Sequence, residues 1–130
     1  MEIKIDRAEE ERLRQKLEGR TDFEALREKR YLAMPDLSRT PGSPLFEMVE
    51  RVKAVPAFAG FDIIEIPEIV STDILFDLFD FPADHPARSK SDTYFVDDTH
   101  ALRTHDTVFW YYYLNHPEIK ARIARGESMG

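Results

Sequence analysis

The chain has 130 residues, no cysteine and a formal charge of −7. That length suits one compact domain, and the missing thiols exclude disulfides and thiolate metal sites. The acidic balance disfavours independent tight binding to nucleic acid, which needs phosphate-neutralising Lys and Arg. No apolar run approaches the ~20 residues of a membrane span and no signal-peptide pattern opens the chain, so a cytoplasmic location is expected.

Asp6 is predicted to cap a first helix, with Glu9 as its capping-box partner. Glu10 and Arg14 are spaced for an ion pair, Leu13 and Leu17 form a narrow apolar stripe, and Gly19 stops the helix. Thr21 and Glu24 repeat the capping signature and open a second helix to about Tyr31, with Phe23 and Leu26 expected to be buried. Residues 1–33 thus read as a solvated helical hairpin ahead of a larger unit, residues 34–130. Residues 34–44 form an extended connector. Ser43 caps a helix with Pro44 at its first position. Leu45, Val49 and Val52 line one face of that helix, and Pro56 ends it.

Residues 61–66 read as a strand by their β-branched content, with apolar residues on both faces and hence a central place in a sheet. Ser71 or Thr72 starts a short helical turn containing Ile74, Leu75 and Leu78. A proline-punctuated loop follows. Asp92 to Val96 and Ala101 to Arg103 read as a hairpin about the turn 97–99. Thr104 is predicted to cap a helix carrying Val108 to Leu114. Asn115 or His116, with Pro117, opens a last helix with Ile119 and Ile123 buried and Gly126 just past its end. The mixture reads as an α+β fold.

Chemistry-capable side chains are densest in residues 85–107. His105 and Thr107, in the first turn of a predicted helix, have the setting of an anion site; capping and packing are the alternative. Arg103 points away from Thr104 and suits a carboxylate of the fold. Arg88 either recognises a carboxylate or phosphate or pairs with Asp92. His85, His105 and Asp92 can be read as a two-His, one-carboxylate metal site. Their spacing is not diagnostic, and no metal is expected. His100 and His116 suit surface or capping roles. The five aromatics Phe109 to Tyr113 point all round a helix and serve core, interface or an aromatic-ligand pocket. There is no P-loop, GxGxxG, GxSxG or CxxC.

The strings Phe76-Asp77-Leu78-Phe79, Phe81-Pro82-Ala83-Asp84-His85-Pro86-Ala87-Arg88, Asp92-Thr93-Tyr94 and Leu102-Arg103-Thr104-His105 resemble the alpha subunit of phenylalanyl-tRNA synthetase in order, type and gap. Gly42-Ser43-Pro44-Leu45, Gly60-Phe61 and Glu65-Ile66-Pro67-Glu68 resemble class II motif 1, the subunit-interface motif of that family. The resemblance spans roughly residues 42–114. It implies a partial class II fold, an antiparallel sheet flanked by helices, preceded by the short helical hairpin. The family reaction activates phenylalanine with ATP and Mg²⁺ and transfers it to tRNA(Phe), with a beta subunit as partner. By resemblance, His105 helps hold the amino acid and Thr107 stands where the family has a substrate-contacting serine. Trp110 replaces a family glutamine, and His85 to Arg88 is a loop that shapes the site. Asp106 is expected to face out.

The arginines of motifs 2 and 3 do not occur in these residues, so no catalytic residue is expected in this chain. It reads as an N-terminal piece of the catalytic domain, inactive alone and binding no ATP or Mg²⁺ by itself. Surfaces meant for further strands predict self-association. Two alternatives are a non-catalytic synthetase-like amino-acid-binding or interaction module and a small metal-dependent hydrolase.

Overall fold

The computed structural model describes residues 1–130. The elements in order are β1 (Glu2–Lys4), α1 (Ala8–Glu18), α2 (Phe23–Leu32), α3 (Pro44–Lys53), β2 (Ile63–Glu65), β3 (Ile69–Ser71), α4 (Thr72–Leu75), β4 (Phe95–Asp97), β5 (His100–Leu102), α5 (Phe109–Asn115) and α6 (Pro117–Ala124). Strands β3, β5 and β4 form an antiparallel sheet in that order, and β1 pairs with β2 in a separate parallel pair. The α+β class, with helices around an antiparallel sheet, is as expected. No helix is long and apolar enough to cross a membrane.

The hairpin β4–β5 forms about the predicted turn. Its register shifts between Phe95 and Asp97, opposite Ala101 and His100, which marks a bulge. Residues 61–66 are not a central strand: only Ile63–Glu65 pair, in a two-stranded sheet where every strand is an edge. Their partner β1 is three residues long, too short for alternation to be read, yet its Ile3 is buried. Strand β3 is equally short, squeezed between Pro67 and the capping Ser71, whose hydroxyl accepts from the Ile74 N–H at 3.3 Å.

Two caps shift by one residue. Asp22 rather than Thr21 caps α2, accepting from the Ala25 N–H while gripping Arg20 at 2.9 Å. The Arg20 hydrogen bond, then the one from Ala25, hold its carboxyl down at about 2. Asp6 accepts from the Ala8 N–H at 3.0 Å, a two-residue turn in front of α1 rather than a capping box. Glu9, freed from that box, takes Arg12 and His100 instead. The Glu10–Arg14 pair forms at 3.2 Å, and Glu10 is itself buried, where it also accepts the Glu68 N–H at 3.1 Å.

Phe23 and Leu26 are not buried: they are 76% and 52% exposed. The α2 face that meets the sheet carries Ala25 and Glu28. Small Ala25 lets the helix approach closely, and the Asp22 cap sets the rotation that turns Phe23 outward. With Leu13 and Leu17 of α1, Ala25 packs on Ile69 and Val96, so the two helices share a core with the sheet. A second cluster gathers Ile66, Val70, Leu75, Phe76, Ala101 and Val108 under the site.

Helix α3 starts as predicted, with Ser43 accepting from the Phe46 N–H at 3.1 Å. It buries none of its side chains; Leu45, Met48 and Val52 are exposed. In α6, Ile119 joins Ile3 and Tyr113 in a small cluster. Ile123 is 46% exposed, because the helix runs past the end of that cluster. Gly126 takes φ +71°, the left-handed residue expected past α6.

Candidate functional site

The site begins with a tight turn after α4. Asp80 adopts φ +57°, a conformation that short polar side chains tolerate. The Phe81 N–H then returns to the Phe76 carbonyl at 3.1 Å. This turn brings Phe79 and Phe81 over His105, with ring centroids 5.2 and 6.0 Å away. Phe81 also meets the His85 ring at 4.8 Å.

His85 is fixed by its own loop. Its Nδ1 accepts from the Ala87 N–H at 3.0 Å and so caps a 3-10 turn at Pro86–Arg88. The loop is closed from behind by Thr93, which is buried and donates to the Ala87 carbonyl. Arg88 turns inward. It pairs with Asp77 at 2.6 Å, donates to the Phe81 carbonyl and lies 5.1 Å over the Phe76 ring. Arg88 thereby holds the Asp77 carboxyl below its ordinary range. The expected alternative pair, Arg88 with Asp92, is not made; the guanidinium is taken by Asp77 and the Phe81 carbonyl instead.

His105 sits in extended backbone ahead of a 3-10 turn, Asp106–Val108, that leads into α5. Thr104 is therefore not a helix cap, and the first turn of α5 lies beyond both His105 and Thr107. The Nε2 of His105 is 2.9 Å from the Leu75 carbonyl, and Nδ1 contacts the Thr107 hydroxyl. A carbonyl only accepts, so Nε2 carries a hydrogen, and in the neutral imidazole Nδ1 then accepts from Thr107. The hydroxyl has then spent its one hydrogen, and it offers only lone pairs to a ligand. That differs from the anion-holding role the sequence suggested.

These side chains line a cleft of about 530 Å³ that holds Phe79, Phe81, His85, Asp92, His105 and Thr107. Four of the residues expected at the site, His105, Thr107, His85 and Asp92, therefore meet. Three do not. Arg88 is behind the wall. Arg103 pairs with Asp106 and lines a separate cleft of about 620 Å³ with Arg7, Arg39 and Glu65. Trp110 is 47% exposed, its ring tilted against that of Phe109 with centroids 4.5 Å apart. Asp106 faces out, 90% exposed.

Phe79 and Phe81 also line the cleft, although no site role was expected of them. Their signal is an aromatic on each side of Asp80, directly ahead of the His-Pro-Ala-Arg loop. His100 is not a surface residue either. Its Nδ1 lies 2.9 Å from Asp97 and its Nε2 3.1 Å from Glu9, so it ties the hairpin to α1. Burial alone would raise the Asp97 carboxyl; the Thr99 N–H and His100 outweigh it and hold it low. No three His, Asp or Glu side chains converge as metal ligands in the chain.

The family model described as tRNA synthetases class II core domain (F) matches residues 32–126. Similar curated proteins are named phenylalanine–tRNA ligase alpha subunit. One from Moorella thermoacetica is 32% identical over 115 residues, covering 85% of this chain and 34% of the relative. One from Geotalea uraniireducens is 40% identical over 85 residues, 63% of this chain and 25% of the relative. One from Cellvibrio japonicus is 40% identical over 62 residues, 48% of this chain and 18% of the relative. The chain thus spans about a fifth to a third of the length of the relatives it matches.

Proposed function

The chain belongs to the class II tRNA synthetase core-domain family, and from that premise we propose that its 530 Å³ cleft is an amino-acid site of the phenylalanine–tRNA ligase alpha-subunit type. The observation that carries the reading is the locked relay from the Leu75 carbonyl through His105 to Thr107. It fixes a hydroxyl whose lone pairs suit the ammonium of an amino acid. Phe79 and Phe81 supply an apolar wall beside it, as a phenyl side chain requires. The His85–Arg88 loop shapes that wall from the far side.

In this reading the whole reaction is ATP- and Mg²⁺-dependent activation of phenylalanine and its transfer to tRNA(Phe), in a cytoplasmic assembly with a beta subunit. The residues present do not fit Mg²⁺–ATP. Arg88 and Arg103, each next in sequence to a cleft residue, are both engaged by carboxylates, and no three His, Asp or Glu side chains gather to hold an ion. The chain alone therefore binds the amino acid and does not activate it. The same engaged arginines favour, as a second reading, a non-catalytic amino-acid-binding module. Self-association through the bare face of α3 belongs to the proposal, since Leu45, Met48 and Val52 are left in solvent.

Calorimetric titration with phenylalanine tests the reading. His105→Ala is expected to weaken binding by about tenfold or more, the loss of one well-placed hydrogen-bonded contact and the order it imposes. Its melting temperature should stay close to that of the native chain. Unchanged affinity in His105→Ala would reject the assignment.

A further inference from the structure

The cleft holds one formally charged side chain, Asp92, and its charge has no partner. Asp92 is exposed, and its only side-chain hydrogen bond comes from the Ser91 hydroxyl at 3.2 Å. Two cations stand close in sequence, and both are turned elsewhere. Arg88 is drawn to Asp77 at 2.6 Å, the Phe81 carbonyl and the Phe76 ring. Lys90 reaches Glu24 on α2 at 3.5 Å. The loop thus leaves an uncompensated carboxylate on the same cleft as a hydroxyl that can only accept.

We propose that Asp92 is a specificity-determining residue of this cleft, supplying the counter-charge for the ammonium of a bound amino acid or aromatic amine. The assignment rests on the amino-acid reading of the cleft and adds a ligand contact to it. Two acceptors, one of them charged, make a primary ammonium the preferred group and penalise a ligand that has only a carboxylate. The side-chain diversion of Arg88 is what keeps this charge available. Were Arg88 paired with Asp92, the cleft would be neutral and blind to the ligand's charge.

The test titrates the whole chain with two probes besides phenylalanine. One is 2-phenylethylamine, which has the ammonium and no carboxylate. The other is 3-phenylpropionate, which has the carboxylate and no ammonium. In Asp92→Asn, amine binding is expected to weaken on the order of 5–10-fold, as for one charge-assisted contact at an exposed site. Binding of 3-phenylpropionate should be no weaker than in the native chain. Added salt should weaken amine binding to the native chain and leave the variant little changed. Asp92→Glu keeps the charge and should keep the amine.

Equal amine affinity in native protein and Asp92→Asn, with phenylalanine still bound, would overturn the role of Asp92 and leave the amino-acid reading standing. A loss as large in Asp92→Glu as in Asp92→Asn would assign Asp92 to loop packing and overturn the charge role. Failure of the native chain to bind either phenylalanine or the amine would overturn both.

Discussion

His105 is constrained on every side that matters. Its Nε2–H donates to the Leu75 carbonyl, its Nδ1 accepts from the Thr107 hydroxyl, and Phe79 and Phe81 hold its ring. A ligand group meeting Thr107 therefore meets a fixed acceptor, with little order left to impose on binding. Asp62 is a second constrained residue. Its side chain, 3% exposed, takes the N-terminal ammonium at 3.1 Å, the Tyr113 hydroxyl at 2.6 Å and Arg122 at 2.8 Å. Burial alone would raise its carboxyl, but these three donors together hold it below the ordinary range. A carboxyl depressed in the folded state adds stability above its unfolded pKa of about 3.9, and that stability is lost as pH falls through the folded value. Asp62→Asn is thus expected to cost about 3 kcal/mol at pH 7, with the gap to the native chain closing below about pH 4. Urea melts at pH 7, 5 and 3 measure it, and a gap independent of pH would contradict the ion-pair account.

The elements show which signals survive folding. Long-range identity was legible in the 76–105 strings, and Ser43, Pro44, Gly126 and the 97–99 turn did locally what their chemistry dictates. Burial within helices was less legible. Phe23 and Leu26 have the residue types of a core, but Asp22 caps α2 at a rotation that gives the sheet Ala25 and Glu28 instead. Strands β1 and β3 are three residues each, shorter than any alternation that could announce them. Their burial is nevertheless real. Ile3→Ala is expected to cost about 2–4 kcal/mol, as for a buried isoleucine, whereas Leu26→Ala should stay within about 0.5 kcal/mol. Chemical denaturation of both variants decides this. A loss in Ile3→Ala as small as that expected of Leu26→Ala would mean that the β1–β2 pair carries no core. The hydroxyl–imidazole relay was invisible in sequence, since it needs the Leu75 carbonyl, thirty residues away, to choose the tautomer of His105.

Across the whole molecule, three small clusters replace one large core, and apolar side chains remain in solvent along α3 and on α2. The cleft has the cations next to it, Arg88 and Arg103, spent on the fold rather than presented to a ligand. On the proposed reading, a chain so arranged recognises an amino acid and does not stabilise a transferring phosphate. ATP–pyrophosphate exchange with phenylalanine is accordingly expected to stay at the level of a protein-free control; robust exchange by the 130-residue chain would contradict this. The amino-acid cleft itself is tested most directly by following backbone amide resonances of the whole chain as phenylalanine is added. The account predicts shifts confined to the walls of the cleft, at Phe79 to Ala87, Asp92 and Thr104 to Thr107, and their loss in His105→Ala. Shifts elsewhere on the molecule, or none at millimolar phenylalanine, would contradict it.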